Sequence, residues 1–466
     1  MPNEPLIVSV SGLRGVVGQS LTAPVAAQYA ACFGQWLKQA PGGCADPHVL
    51  LARDGRVSGQ MLELAAAAGL IGTGCRVTQI GIVSTPGAAV MTTHLAAHGA
   101  MVVTASHNPS QWNGLKALRR DGCAPGPDEA RQIRELFDRG ATAHTAAESL
   151  APLEADDGAR RVHVGRVVDQ VDATLIRAGR FRVVVDSVHG AGGPETALLA
   201  ERLGVELIQL HGEPTGRFPH PPEPTADNLG GLCEQVVKYQ AHAGFAQDPD
   251  ADRLAIVDET GHYVGEEYTL ALSCLHAMSR PSSQGAAPPP VVATNLSTSR
   301  MIDDVVSKHG GRVVRTPVGE AHVVEAMREH GALIGGEGNG GVILPAVCFV
   351  RDSLAGIALI LELLAARRQK LSTIISEIPS YAIVKDRIDA PQGPAQDHLR
   401  RLAGHYGGSP GDARTDLQDG VRIDWPDRWV HARPSNTEPI WRIIAEAPAE
   451  TTAREMIAQV RHVLGP

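Results

Sequence analysis

The chain has 466 residues, of which 43% are apolar, and a formal net charge of −9 from 42 basic and 51 acidic side chains. That length exceeds what one hydrophobic core supports and predicts three or four domains. The apolar share argues against general disorder, and the acid excess argues against a nucleic-acid binder, which needs a basic surface. A small anionic substrate remains compatible, because a few Arg and Lys residues in one cleft suffice. The seven cysteines, scattered from Cys32 to Cys348, contain no Cys-x-x-Cys pair. They suggest neither a zinc ribbon nor a redox motif and fit reduced thiols in a cytosol. Met1 to Ile7 lacks the basic start and apolar run of a signal peptide. The most apolar helical stretch, Ile357 to Ala366, contains Glu362 and is too short to span a bilayer. The expectation is a cytoplasmic protein with no membrane or nucleic-acid partner.

In chain order, Leu6 to Val10 reads as a strand, and Thr22 as the cap of a helix whose apolar face holds Val25, Tyr29, Phe33, Trp36 and Leu37. Val49 to Ala52 is the next strand, with Ser58 able to cap the helix after it. Arg76 to Ile82 follows, with Thr85-Pro86 as cap and first-turn proline, and Ala100 to Thr104 closes the series. This alternation predicts an α/β layer with a largely parallel core sheet. Ala141 to Asp157 reads as a linker. Beyond it, Val183 to Val185 and Gly244 to Ala246 are buried strands, separated by a proline- and glycine-rich loop at Pro214 to Pro224. A third unit starts near Tyr263 and is interrupted by the loop Pro281 to Pro290. It alternates again through Val291 to Thr294, a helix from Thr298, Arg312 to Arg315, a helix from Gly319, and Ala332 to Gly335. The last unit, from about Tyr381, has strands at Gly420 to Asp424, Trp429 to Ala432 and Trp441 to Ala445 and a helix at Thr451 to Leu464, which is α+β. The fold class expected is α/β: three related mixed-sheet domains, at 1–150, 151–262 and 263–378, and a C-terminal α+β domain at 379–466.

Four segments carry chemistry. Thr104-Ala105-Ser106-His107-Asn108-Pro109 presents Ser106 at a strand end, where Asn-Pro forces a turn. A serine there needs an activating base or metal, or already carries the group to be transferred. Asp248-Pro249-Asp250-Ala251-Asp252-Arg253 puts alternate carboxylates at another strand end, where they can converge on a hard cation. Glu259 falls at the twelfth position of an EF-hand loop, but the sixth is Arg253 rather than glycine and the flanks read as strands, so a calcium EF-hand is rejected. Gly335-Gly336-Glu337-Gly338-Asn339-Gly340-Gly341 holds a literal G-x-G-x-x-G, yet a strand and Pro345 follow instead of a helix, which disfavours a dinucleotide site. Glu337 and Asn339 suit a polyhydroxylated ligand instead. Arg433-Pro434-Ser435-Asn436-Thr437-Glu438, with Arg442, offers guanidinium, hydroxyl and amide groups for a phosphate. No Walker-A sequence is present, so a bound nucleotide is not the expected phosphoryl donor.

Taken together and in this order, the four segments resemble those of the α-D-phosphohexomutase superfamily: phosphoserine loop, metal loop, sugar loop and phosphate loop. Ser11-Gly12-Leu13-Arg14-Gly15 and Asp54-Gly55-Arg56-Val57-Ser58-Gly59 are similar to further signatures of that family. The resemblance implies three α/β domains and a fourth domain around a central cleft. It implies Ser106 as the phosphorylated residue, with Ser106, Asp248, Asp250 and Asp252 as ligands of Mg²⁺. Lys116 matches a lysine implicated in proton transfer or substrate contact, Arg14 and Arg253 match residues near the phosphoserine, and Glu337, Asn339, Arg433, Ser435, Asn436, Thr437 and Arg442 match substrate-binding positions. A hexose 1,6-bisphosphate would serve as intermediate and activator. The chain departs from many members in carrying Asn339 for a serine and Gly341 for a histidine; His322 is a stand-in candidate, although a structural histidine at a helix start is the preferred reading of it. The Gly-Glu-Gly-Asn-Gly-Gly loop and Phe218-Pro219-His220-Pro221-Pro222-Glu223-Pro224 are similar to an archaeal-type phosphoglucosamine and phosphohexose mutase branch. A phosphoglucosamine mutase working as monomer or homodimer is therefore expected. Phosphomannomutase or phosphoglucomutase activity, a non-catalytic sugar-phosphate binder, and a metal-dependent phosphatase are the alternatives.

Overall fold

The computed structural model describes residues 5–9, 12–140, 142–280, 289–406, 413–435 and 440–465. By packing, the chain divides into one unit of Met1–Ala277 with Asn339–Ile374 and a second of Met278–Gly338 with Ile375–Pro466.

The first unit opens with β1 (Ile7–Ser9), β2 (Gly12–Val16), α1 (Ala23–Gln39), β3 (His48–Arg53), α2 (Gly59–Gly72), β4 (Arg76–Ile82), α3 (Thr85–His94), β5 (Gly99–Val103), β6 (Trp112–Arg119), α4 (Pro127–Arg139) and β7 (Leu153–Ala155). These strands form one sheet in the order β1-β2-β6-β5-β3-β4-β7. β5, β3, β4 and β7 run parallel, while β6, β2 and β1 are added antiparallel on one edge. Tyr29, Phe33, Trp36 and Leu37, at helical spacing on α1, are buried against this sheet with Val49, Leu51, Met101 and Leu115. Burying each such side chain stabilises the fold by about 1.5–3 kcal/mol.

The chain continues with α5 (Ala159–Val168), α6 (Ala173–Ala178), β8 (Arg182–Asp186), α7 (Gly192–Leu203), β9 (Glu206–Leu210), α8 (Gly230–Lys238), β10 (Ala243–Gln247) and β11 (Leu254–Asp258). The second sheet has the order β11-β10-β8-β9; β9, β8 and β10 are parallel and β11 folds back as a hairpin on β10. α9 (Glu267–Ser279) then leads to the second unit. There β12 (Val291–Asn295), α10 (Met301–Lys308), β13 (Arg312–Thr316), α11 (Glu320–His330) and β14 (Ile334–Glu337) alternate, with β12 parallel to both β13 and β14. β15 (Gly341–Ile343) and α12 (Ser353–Arg367) return to the first unit, followed by α13 (Leu371–Ser376). The C-terminal part of the second unit has β16 (Ala382–Asp389), α14 (Ala395–Tyr406), β17 (Arg414–Asp416), β18 (Val421–Asp424), β19 (Trp429–Pro434), β20 (Ile440–Ala447) and α15 (Glu450–Leu464). Its strands form a wholly antiparallel sheet, β16-β20-β19-β18-β17, that buries Leu402, Ile443, Ile457 and Val460 beneath α14 and α15. Among the described residues no helix is long and apolar enough to cross a membrane.

Several local expectations are corrected. The first series does not close at Thr104, because β6 follows, and β2, β9, β16, β17, the helices α4 to α9, α13 and α14 add to the elements read from sequence. The stretch read as a linker carries β7, paired with β4. Thr22 and Ser58 occupy N-cap positions, but neither hydroxyl caps its helix, and Ser58 Oγ instead accepts Asn113 Nδ2–H at 2.9 Å. The cap of α3 is Ser84, which accepts Gly87 N–H, and Thr85 is the first helical residue. The loop read at Pro281 to Pro290 lies mostly outside the described residues.

A buried ionic cluster joins three helix starts in the first unit. His163 is fully enclosed, with Nε2 2.8 Å from Asp352 Oδ2 and Nδ1 3.6 Å from Glu195 Oε1. Asp352 caps α12, and Glu195 Oε1 accepts Ser84 N–H at the start of α3. Burial alone would lower the imidazole pKa, but the charge of Asp352 and hydrogen bonds to Asp352 and Glu195 outweigh it and raise it to about 10. A group raised on folding stabilises fully below its unfolded pKa of about 6.5, and that contribution disappears as pH climbs through the folded value. Unfolding by urea should therefore become easier between about pH 6.5 and about pH 10. His163→Ala, which leaves two buried carboxylates uncompensated, should cost about 3–5 kcal/mol and flatten that dependence. A wild-type profile already flat over this range would contradict the assignment.

Candidate active site

The serine loop leaves β5 at Val103, whose strand runs beside β3. Ser106 itself has φ 49°, a left-handed conformation rare for a residue with a side chain. Such strain costs on the order of 1–3 kcal/mol and persists only where the surroundings enforce it. Here Ser106 N–H donates to Thr104 Oγ1 at 2.9 Å, and Thr104 Oγ1–H donates to Asp54 Oδ2 at 2.7 Å. Arg56, 1% exposed, pairs with Asp54 at 3.1 Å. Its remaining guanidinium hydrogens go to four carbonyls of the loop: Ser106 and Asn108 at 2.6 Å, Pro109 at 2.8 Å and Trp112 at 2.9 Å. The ring of Phe218 covers the guanidinium at 4.9 Å. The Asp54–Arg56 segment, singled out only by resemblance, is thus the clasp that fixes the loop.

The acidic segment fills the β10–β11 hairpin, with Ala251 at φ 53°. All three carboxylates are buried. Asp248 Oδ2 accepts the Ser106 hydroxyl at 2.7 Å. Asp250 Oδ2 accepts Thr85 Oγ1–H at 2.5 Å and the Lys116 ammonium at 2.6 Å. Asp252 Oδ2 accepts Lys116 at 3.1 Å and Arg351 at 2.7 Å. Burial, then the charges of Asp252 and Asp250, push the Asp248 carboxyl well above the usual range. Burial would raise Asp252 as well, but Arg351, Lys116 and Arg253 hold it low. One oxygen from each residue lies within 4.8 Å of the other two, and Asp250 Oδ1 and Asp252 Oδ1 are buried without a hydrogen-bond partner. An all-oxygen set with two uncommitted lone-pair donors fits a hard divalent cation.

A cationic rim surrounds this centre. Lys116 comes from β6, opposite Val102, and Arg14 from β2, opposite Gly114. Burial would lower the Lys116 pKa, but Asp250 and Asp252 raise it, so the amine is protonated. Arg14 donates to Asn108 Oδ1 at 3.1 Å, and Arg253 lies 3.8 Å from Glu223 and 4.0 Å from Asp252. His107 Nδ1 is 3.4 Å from Ser106 Oγ; burial, with Arg253 and Arg14, pushes that imidazole down to about 3, so it is neutral. Arg351 and Thr85 are the residues that the sequence reading missed. A Cβ at Gly341 would collide with the side chain of Arg351 and nearly touch Asn339 Oδ1. The glycine that departs from the family's histidine therefore makes room for the arginine that reaches Asp252. Asn339 Oδ1 is buried there without a hydrogen-bond partner.

The remaining expected residues belong to the second unit, apart from Asn436 and Thr437, which lie outside the described residues. Glu337 ends β14, and its Oε1 accepts Asn295 Nδ2–H at 2.8 Å. Arg433 on β19 sits opposite Arg442 on β20, which sits opposite Arg387 on β16. Residues paired in this way share a face of the sheet, and like charges so opposed are destabilising, so this row suits an anion. Burial lowers the Arg433 pKa, countered by Asp419. Arg387 was not legible as part of the row, because the strand carrying it was not read from sequence. Ser435 N–H donates to Ile440 O at 2.8 Å. His322 lies in the first turn of α11, in the second unit, whereas Ser106 and the aspartates belong to the first.

Known proteins resemble this chain over almost its full length. Family profiles described as phosphoglucomutase/phosphomannomutase alpha/beta/alpha domains I, II and III match residues 6–144, 161–261 and 266–381, and the profile of the C-terminal domain matches 384–463. The chain is 37% identical over 449 residues to a protein of Methanopyrus kandleri named "Probable phosphoglucosamine mutase", covering 96% of this chain and 95% of that protein. It is 35% identical over 449 residues to a phosphoglucomutase/phosphomannomutase of Thermococcus kodakarensis, with the same coverage of 96% and 95%. Among solved structures, a phosphoglucomutase/phosphomannomutase family protein of Burkholderia thailandensis superposes with a TM-score of 0.83 at 28% identity, covering 98% of each chain. The chain therefore belongs to the phosphoglucomutase/phosphomannomutase family of phosphohexomutases.

Proposed function

We propose that the protein is a phosphoglucosamine mutase, interconverting glucosamine 6-phosphate and glucosamine 1-phosphate through phospho-Ser106. The observation that carries the reaction type is the Ser106 hydroxyl 2.7 Å from Asp248 within a group of three buried carboxylates. The names of the relatives support the substrate. Asp248, Asp250, Asp252 and the Ser106 oxygen or its phosphate would hold Mg²⁺, which when bound neutralises the crowded carboxylates and makes the serine oxygen a better leaving group. Phospho-Ser106 donates its phosphoryl group to the free hydroxyl at one end of the sugar monophosphate. The P–O bond to Ser106 breaks as the bond to the sugar oxygen forms, giving a hexose 1,6-bisphosphate. After this intermediate turns over, Ser106 takes back the other phosphate. Lys116 returns a proton to the departing Ser106 oxygen and receives that of the attacking hydroxyl. Arg14, Arg253 and Arg351 offset the charge of the phosphoryl group, which is the main demand of such a transfer. Asn339 and Glu337 are assigned to sugar hydroxyls, and Arg433, Ser435, Asn436, Thr437 and Arg442 to the phosphate that is not reacting, a grip that supplies positioning energy.

A phosphomannomutase or phosphoglucomutase is the second reading, favoured by the Thermococcus relative. A coupled assay with Mg²⁺ and a trace of hexose 1,6-bisphosphate separates the two. Turnover should be fastest with glucosamine phosphates; comparable rates for glucose and mannose phosphates, with none for glucosamine, would defeat the first reading. Intact-mass analysis should find a fraction of the protein heavier by one phosphoryl group, and Ser106→Ala should lose both that species and mutase activity. Release of inorganic phosphate at a rate matching substrate loss, with some of that release surviving in Ser106→Ala, would point to a phosphatase instead. Arg56→Lys should keep the charge beside Asp54 but forfeit most of the carbonyl bonds to the serine loop. Its kcat should fall by about 10²-fold, the scale expected for a small misplacement of a reacting group. Unchanged kcat in a variant that still pairs with Asp54 would show the clasp to be dispensable.

A further inference from the structure

We propose that Asp186, His211 and His220 form a second divalent-metal site, suited to a borderline cation of the Zn²⁺ class and serving to anchor the proline-rich loop. The three residues come from separate segments: the end of β8, the residue after β9, and the middle of the Pro214 to Pro224 loop. One ligand atom from each lies within 4.8 Å of the other two. His211 Nδ1 is 3.0 Å from Asp186 Oδ1, and His220 Nε2 is 3.0 Å from Asp186 Oδ2. Bonds of about 2.0–2.1 Å to tetrahedral zinc set its ligands about 3.3 Å apart, close to the two histidine–carboxylate separations of 3.0 Å, while the histidine nitrogens lie within 4.8 Å of each other. The donor set is richer in nitrogen than the all-oxygen triad at Asp248, and imidazole with carboxylate favours Zn²⁺ and its neighbours over Mg²⁺.

The tautomer of His220 also suits a metal ligand. Its Nδ1 lies 2.9 Å from Pro221 O, and a carbonyl only accepts, so Nδ1 carries the hydrogen. In the neutral ring the lone pair is then on Nε2 and faces the Asp186 carboxylate at 3.0 Å. Two lone pairs at that distance repel unless a positive centre, a second ring proton or a metal ion, lies between them. Orientation of a ligating imidazole by a backbone carbonyl at its other nitrogen is the usual support of a metal site. Val188, His189 and His211 all have left-handed backbones, at φ 46°, 55° and 50°, which is sterically unfavourable for a β-branched valine above all. Val188 N–H donates to Asp186 Oδ1 at 2.9 Å, so part of this backbone serves to orient the carboxylate.

A metal here would act structurally. Between His211 and His220 the loop carries Phe218, whose ring covers Arg56, and Gly216, whose N–H donates to His189 O at 3.0 Å. Three residues past His220, Glu223 lies 3.8 Å from Arg253 and 3.9 Å from His107. Tying both ends of the segment to β8 would hold these contacts in place beside the serine loop. The site does not depend on which sugar phosphate the enzyme uses.

Cobalt is the probe. Untagged full-length protein, stripped with chelator and held in excess Mg²⁺ so that the oxygen triad is occupied, is titrated with Co²⁺. One equivalent should produce the intense visible absorption of tetrahedral nitrogen-ligated cobalt, and Zn²⁺ should displace it. His211→Asn and His220→Gln, each able to keep a hydrogen bond to Asp186, should lose the band or bind at least tenfold more weakly. Asp252→Asn should keep it. No tetrahedral band in the wild type, or a band lost in Asp252→Asn and kept in both histidine variants, overturns the proposal. The wild-type titration decides even if a variant fails to fold.

Discussion

Three carboxylates buried together, one of them holding the Ser106 hydroxyl, are the constraint to which the rest of the first unit answers. Asp248, Asp250 and Asp252 are almost wholly shielded from water, where mutual repulsion between like charges is strongest. Lys116, Arg351 and Arg253 compensate part of that charge, and two carboxylate oxygens stay uncommitted. Removing a cation from such a group would leave uncompensated charge in the interior, so the arrangement holds only because strands from two sheets deliver acid and base to the same spot. The left-handed Ser106 and Ala251 backbones lie in the two loops that meet there, and such strain persists only where the surroundings enforce it.

The architecture supplies that delivery. Parallel strands β5 and β10 both end at the centre, presenting Ser106 and the acidic hairpin, as expected for ligands bound beyond the carboxyl ends of strands in α/β sheets. The antiparallel strands β6 and β2 then bring Lys116 and Arg14 alongside. Phosphoryl transfer requires neutralised charge and fixed orientation more than elaborate covalent chemistry, and this part of the fold is built from those two provisions.

Legibility in the sequence followed distance along the chain. The alternate aspartates and the Ser-His-Asn-Pro turn were readable because each is local, with its chemistry and its strand-end position written in neighbouring residues. Thr85 and Arg351 were not, because they meet Asp250 and Asp252 across 165 and 99 positions. Thr85 read as a helix cap, a role that falls to Ser84. Strand β6 was missed for a related reason: Asn113-Gly114 signals a turn, yet the glycine sits mid-strand because a side chain there would collide with the backbone carbonyls of Leu13 and Thr104. Ser58, placed to cap α2, is instead committed to Asn113 of that same strand. In the second unit, the arginine row became visible only once the register of β16, β20 and β19 was known.

The central claim, a phosphorylated serine oxygen adjoining a divalent-cation site formed by the three aspartates, is tested most directly by phosphorus NMR of the isolated protein. After incubation with a hexose 1,6-bisphosphate and removal of small molecules, the spectrum should hold one phosphoserine resonance that stoichiometric Mn²⁺ broadens, with the broadening lost in Asp250→Asn. A resonance that keeps its width in the presence of bound Mn²⁺ would place the cation away from the serine and contradict the account.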